Sequence, residues 1–152
     1  GATLFTFKGK LLADLALGEL LLQDSVQMVH RAADTQEVAQ LDCVQLLVYL
    51  DTQAPHPGMA LAGPAQSARI KAVLADRAVR LLFGPRTIRS QHLKYLASEQ
   101  AITLSSKPPQ YVEVHQEGEA TAFTAEEIRW DLAKDQLEVT RAGPGRVPIA
   151  PR

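Results

Sequence analysis

The densest set of metal-capable side chains is Glu113-x-His115-x-Glu117-x-Glu119. In a β-strand, alternation turns Glu113 and His115 to one face, where a carboxylate and an imidazole could share a divalent cation. Glu117 and Glu119 flank Gly118, and a turn there ends the alternation that would bring them into the same set. The pattern reads as a solvated hairpin tip, and no metal is assigned to it. His30 ends a run of alternating residues, His56 lies between two prolines and His92 precedes Leu93. None has a partner at a diagnostic spacing. Serine catalysis would need a nucleophile on a strained Gly-x-Ser-x-Gly elbow, a motif the sequence lacks. Gly143-Pro144-Gly145-Arg146 has the glycines of a phosphate loop, but no helix follows and Pro144 offers no N–H. No catalytic residue and no cofactor follow from these patterns, so an enzyme is not expected.

Composition narrows the classes further. A chain of 152 residues suits one domain with a sizeable core. Apolar residues make up 46% and charged residues 22%, as in an ordinary globular protein. The net charge of -1 is mixed along the chain. It provides neither a basic face for nucleic acid nor a polybasic membrane anchor. With aromatics at 5%, the core must rest on Leu, Val, Ile and Ala. Cys43 is the only cysteine, which excludes an internal disulfide and suits a small buried hydrophobe. The longest apolar stretch, Leu46 to Leu50, is far too short to span a membrane as a helix. Gly1 in place of Met reads as a trimmed start, with an export signal or anchor outside the chain as given.

The elements that must position any site are strands. In Tyr111-Val112-Glu113-Val114-His115, the valines face one way and the other three residues the opposite way. A turn over Gln116-Glu117-Gly118-Glu119 then leads to Thr121, Phe123 and Ala125 on one side, which predicts a hairpin. Asp131 to Asp135 is a polar reversal before Leu137 and Val139, and Gly143-Pro144-Gly145 breaks the chain before Val147 and Ile149. Helix competes at Ala125 to Leu132, where Thr124 could cap it, and at the Leu/Ala-rich Lys10 to Leu22.

Internal repetition favours strands. A shift of the sequence on itself by about 35 residues places Phe123, Ala125, Ile128, Trp130, Leu137 and Val139 on Ile88, Ser90, Leu93, Tyr95, Ile102 and Leu104. Leu11 to Leu22 also aligns without gaps on Ile128 to Val139, with Asp14 on Asp131 and Gly18 on Asp135. The shared unit is two short strands joined by a tight polar turn. Such hairpins have one apolar face and must stack on neighbours. A further copy covers Leu41 to Leu50 and resumes around Ile70 to Leu82, interrupted by a loop insertion over Thr52 to Ser67 rich in Pro and Gly.

The run Phe123 to Asp131 followed by Leu137-Glu138-Val139 resembles the repeat of OstA-like domains, the LptA–LptC lipopolysaccharide transport family. That pattern is apolar-x-Ala-x-x-apolar-x-aromatic-Asp, a turn, and an alternating strand ending near Gly, here Gly143. The copy from Ile88 keeps the spacing but has Ser90 for Ala and Leu96 for Asp, and the N-terminal copy has Ala13 for the aromatic. The resemblance implies an all-β fold, a folded-over antiparallel sheet called a β-taco or twisted β-jelly roll, as a single domain over residues 1–150 with its insertion at about 52–67. It also implies a periplasmic lipid-binding module in lipopolysaccharide transport to the outer membrane. Its interior would hold acyl chains through Tyr95, Ile102, Leu104, Val112, Val114, Phe123, Ile128, Trp130, Leu137 and Val139. Arg86, Arg89 and Arg129 would stand near the rim, able to meet phosphorylated headgroups. Partners would be lipopolysaccharide or another lipid, and other Lpt-type proteins or a second copy stacked edge to edge. The competing reading is a β-repeat scaffold that docks protein partners by strand addition, without lipid.

Overall fold

A computed structural model describes residues 2–31, 37–51, 69–119 and 122–143. The loop insertion, His56, Thr121, Val147 and Ile149 lie outside the described residues. The strands are β1 (Ala2–Thr6), β2 (Lys10–Asp14), β3 (Glu19–Arg31), β4 (Val38–Leu50), β5 (Ile70–Phe83), β6 (Arg86–Leu96), β7 (Ala101–Ser105), β8 (Val112–Gln116), β9 (Phe123–Asp131) and β10 (Gln136–Ala142). All ten join one sheet in the order β1-β3-β4-β5-β6-β7-β9-β10, with β2 beside β3 and β8 between β6 and β9. Every pairing is antiparallel. Both stretches with helical composition are strands. Lys10 to Leu22 forms β2 and the start of β3, while Ala125 to Leu132 runs through β9.

The sheet is creased. β1 and β2 are two pieces laid along β3, separated at Phe7–Gly9, where Lys8 and Gly9 donate to the carbonyls of Asp24 and Gln23 at 2.8 and 3.0 Å. Opposite them, β3 carries Asp24 and Ser25 at φ 70° and 51°, and β5 carries Arg77 and Ala78 at the same two angles. Register shifts fall at these places, between Gln23 and Val26, between Asp42 and Gln45, and between Asp76 and Val79. β7 and β8 likewise share both neighbours but are parted by Ser106–Tyr111, and β10 has Arg141 at φ 54°. The breaks form one line across the strands. Left-handed backbone at non-glycine residues costs about 1 kcal/mol or more each, and bulges bend strands sharply. Gly9 belongs to this line, since a Cβ there would collide with the Asp24 side chain and stand 2.7 Å from the Gln23 carbonyl oxygen.

The crease folds one apolar face inward. Buried positions continue across it by steps of three on β4, β6 and β9 (Cys43 to Leu46, Ser90 to Leu93, Ala125 to Ile128). The steps are of four on β3 and β5 (Leu22 to Val26, Ala75 to Val79). On β4, β6 and β9 the odd step restores to the inside a face that strict alternation would have turned out, while the two left-handed residues on β3 and on β5 keep the inward parity. Small side chains, Cys43, Ala75, Ser90 and Ala125, border the line, where the two halves converge. Backbone groups freed there find side-chain partners: Gln91 N donates to Ser106 Oγ at 2.9 Å and Lys107 N to Gln91 Oε1 at 2.7 Å. On the opposite face Asp42 bridges Gln27 and Arg80 at 3.1 Å each, and Leu21, Leu47 and Leu74 form a half-buried apolar row.

Three turns close hairpins in one register: Asp14 opposite Glu19, Leu96 opposite Ala101, and Asp131 opposite Gln136. Their last residues, Gly18, Gln100 and Asp135, all have positive φ, at 72°, 49° and 50°. Asp14 Oδ1 accepts from Leu17 N and Asp131 Oδ1 from Lys134 N, each at 3.1 Å. The turn after Leu96 lacks that aspartate, and there Glu99 N donates to the Leu96 carbonyl at 3.3 Å.

Candidate functional site

The sheet brings all ten interior candidates into one hydrophobic cluster. Ile102, Leu104, Val112, Val114, Ile128 and Trp130 are buried, while Tyr95, Phe123, Leu137 and Val139 are half-buried against them. The hairpin registers explain this: Tyr95 faces Ile102 and Leu93 faces Leu104, as Trp130 faces Leu137 and Ile128 faces Val139. Ile88, Val114 and Phe123 lie side by side across β6, β8 and β9. The N-terminal half lines the same interior with Leu22, Val26, Leu46, Val48, Val73 and Val79, which sequence reasoning left out of the candidate set. Their signal was present as alternating Leu and Val, but a pattern read from the last third of the chain did not extend to it.

Depth varies across this inner face. Near the crease Leu104, Val112, Ala125 and Ile128 are wholly buried, and away from it Tyr95 and Phe123 are partly open. Burial pushes the Tyr95 hydroxyl above its ordinary value, as expected of a phenol on an apolar face. In the row that strand pairing sets across the sheet, Leu20, Val48, Val73, Ile102 and Trp130 are buried and Tyr95 is a partly open member. Trp130, 2% exposed, is the largest of these side chains. Phe83, from the end of β5, meets its ring edge-on at 5.2 Å, and the Arg86 guanidinium lies 5.3 Å from its centroid. Trp130 Nε1 and Arg86 Nη1 both donate to Asp135 Oδ1 at 3.0 Å.

Of the rim arginines, only Arg86 reaches the mouth. Arg89 and Arg129 alternate with the inward residues Ile88, Ser90, Ile128 and Trp130, so they belong to the outer face. Arg129 there pairs with Glu99 at 3.2 Å. Glu113 and His115 do share an outward face, with His115 Nε2 3.3 Å from Glu113 Oε1. Glu117 and Glu119 lie on the exposed turn, and among the described residues no three His, Cys, Asp or Glu side chains converge. Cys43 is buried, and burial together with the Asp42 charge pushes its thiol up to about 12. Gly143 has a packing role, because a Cβ there would stand 2.7 Å from the Tyr111 ring, and its N–H donates to the Thr124 carbonyl at 2.9 Å.

Among the described residues, β1 and β2 at the sheet's first edge pair only with β3, and β10 at the other edge pairs only with β9. The first edge is unusually apolar. Leu4, Leu12, Leu15 and Leu17 are 53–64% exposed, and all five residues of β2 lie open.

No family model matches the sequence, and no curated protein matches it. The fold matches the crystal structure of LptH, described as the LptA-homologous periplasmic component of the conserved lipopolysaccharide transport device from Pseudomonas aeruginosa. The TM-score is 0.65 at 15% sequence identity, over 99% of this chain and 89% of that one. The creased antiparallel sheet is therefore the architecture of the LptA-like β-taco.

Proposed function

We propose that this chain is a non-catalytic, periplasmic lipid-binding module in lipopolysaccharide transport, a single domain whose inner face holds acyl chains. The observation that carries the reading is a continuous apolar inner face, shared by the strands from β3 to β10 and bounded by two sheet edges that are unpaired among the described residues. Likeness of fold to LptH supports it. Each methylene moved from water onto such a face is worth about 0.8 kcal/mol, so roughly six give about 5 kcal/mol without a specific polar contact. The half-buried Tyr95, Phe123, Leu137 and Val139 are the first positions an entering chain would meet. The wholly buried residues behind them would have to part.

The test is titration with a fluorescent fatty acid, followed by displacement with lipopolysaccharide. Leu137→Glu and Val139→Glu place a charge on the inner face at half-buried positions and should weaken probe binding at least about tenfold. Saturable binding that ignores both substitutions would overturn the site. Lipid found by mass spectrometry on protein purified from a Gram-negative host would support the reading independently.

A second reading, docking of Lpt-type partners or another copy by strand addition, is favoured by the open edge and its exposed leucines. It is compatible with lipid transport, since stacked sheets would join their inner faces. Leu12→Lys should suppress concentration-dependent association in analytical ultracentrifugation while leaving probe binding unchanged. Association unaffected by that change would count against this edge.

A further inference from the structure

The turns of the β5–β6 and β9–β10 hairpins lie in opposite halves of the creased sheet, and β6 and β9 are linked only through β7 and β8, among the described residues. Four of their side chains nevertheless meet across the opening. Phe83 and Arg86 flank one hairpin turn, Trp130 ends the inward series of β9, and Asp135 closes the other turn. One oxygen, Asp135 Oδ1, receives both Arg86 Nη1 and Trp130 Nε1 at 3.0 Å. The Arg86 guanidinium also covers the Trp130 ring, and Phe83 abuts its edge.

We propose that Phe83, Arg86, Trp130 and Asp135 form a clasp across the mouth of the folded sheet, released when an anionic headgroup takes the place of Asp135 on Arg86. The release step rests on the lipid-binding reading above; the clasp itself does not. Trp130 holds the register that Tyr95 holds one repeat earlier, opposite Leu137 as Tyr95 is opposite Ile102. Phe83 and Arg86 are the contacts that reach its ring from the other lip. The ion pair is asymmetric in a useful way. Asp135 is 66% exposed and easily displaced, whereas Arg86, at 22%, is anchored on the aromatic face. A guanidinium held there offers fork geometry to a phosphate or carboxylate.

Trp130 is the only tryptophan, so its fluorescence reports the clasp directly. The experiment uses the full chain as Arg86→Gln and as Asp135→Gly, the latter a residue that Gly18 already supplies in the equivalent turn. Acrylamide quenching of Trp130 should rise about threefold in both variants, with denaturant midpoints little changed, as local opening requires. In the parent chain, dodecyl phosphate should expose Trp130 at concentrations where dodecyl maltoside does not, and both variants should lose that preference. Quenching that stays at the parent value in either folded variant overturns the clasp. Increased quenching with no binding of either amphiphile leaves the clasp standing and sinks the lipid reading. Equal response of the parent chain to both amphiphiles overturns anion-driven release.

Discussion

Asp14 and Asp131 stand near opposite edges of the sheet and make the same contact, each accepting the backbone N–H three residues on at 3.1 Å. Each ends a strand, and in each case the turn it organises ends in a residue of positive φ. A side-chain oxygen that substitutes for a missing backbone partner is worth about 1 kcal/mol. Asp131→Ala should therefore lower the melting temperature by about 2–4 °C, read by circular dichroism. Asp14→Ala should cost less, because β2 is exposed throughout.

That equivalence was legible in the sequence, as were the strands around Val112 and Val114 and the reversal at Asp131 to Asp135. The crease was not. Its mark is the step of three from Ala125 to Ile128, which breaks the period of two and imitates one side of a helix. The same step from Ser90 to Leu93 was visible only as a repeat. In both places the spacing marks where a strand bends. The rim is only partly legible for a related reason: Arg129 and Arg89 are near the inner residues in sequence, but alternation sends them outward. Contact between Phe83 and Trp130 depends on folding the two halves together, and no local pattern encodes it.

The crease should resist enlargement of its small residues. Ala125 is fully buried beside the break in β9. Ala125→Leu adds volume where the halves converge and should cost about 1–3 kcal/mol, seen as a lower urea midpoint. An unchanged midpoint would mean that the halves do not converge at this line.

Cys43 should be nearly inert while the protein is folded. With its thiol pushed up to about 12 by burial and then by Asp42, almost no thiolate exists at neutral pH. Labelling by an aromatic disulfide should be slow in buffer and become rapid in denaturant. Prompt labelling of the folded chain would contradict the closed packing at the crease.

Stability should fall on mild acidification through His30. Burial lowers its imidazole below the ordinary value of 6.5, and its Nδ1 lies 2.8 Å from Thr3 Oγ1. The unfolded chain then takes up the proton first as pH drops below 6.5, so unfolding gains protons and stability is lost as pH falls. Between about pH 7.5 and pH 5 the urea midpoint should drop more for the parent chain than for His30→Gln. Equal drops would remove His30 from the account.

The central claim, that the inner face carries the acyl chains, is tested most directly by photo-crosslinking to lipopolysaccharide from single positions. A photoreactive residue at Tyr95 or Val139 faces inward, and one at Arg89 or Glu138 faces outward. Lipid adducts are expected from the two inward positions and none from the outward pair. Adducts confined to the outer positions, or equal at all four, would contradict it.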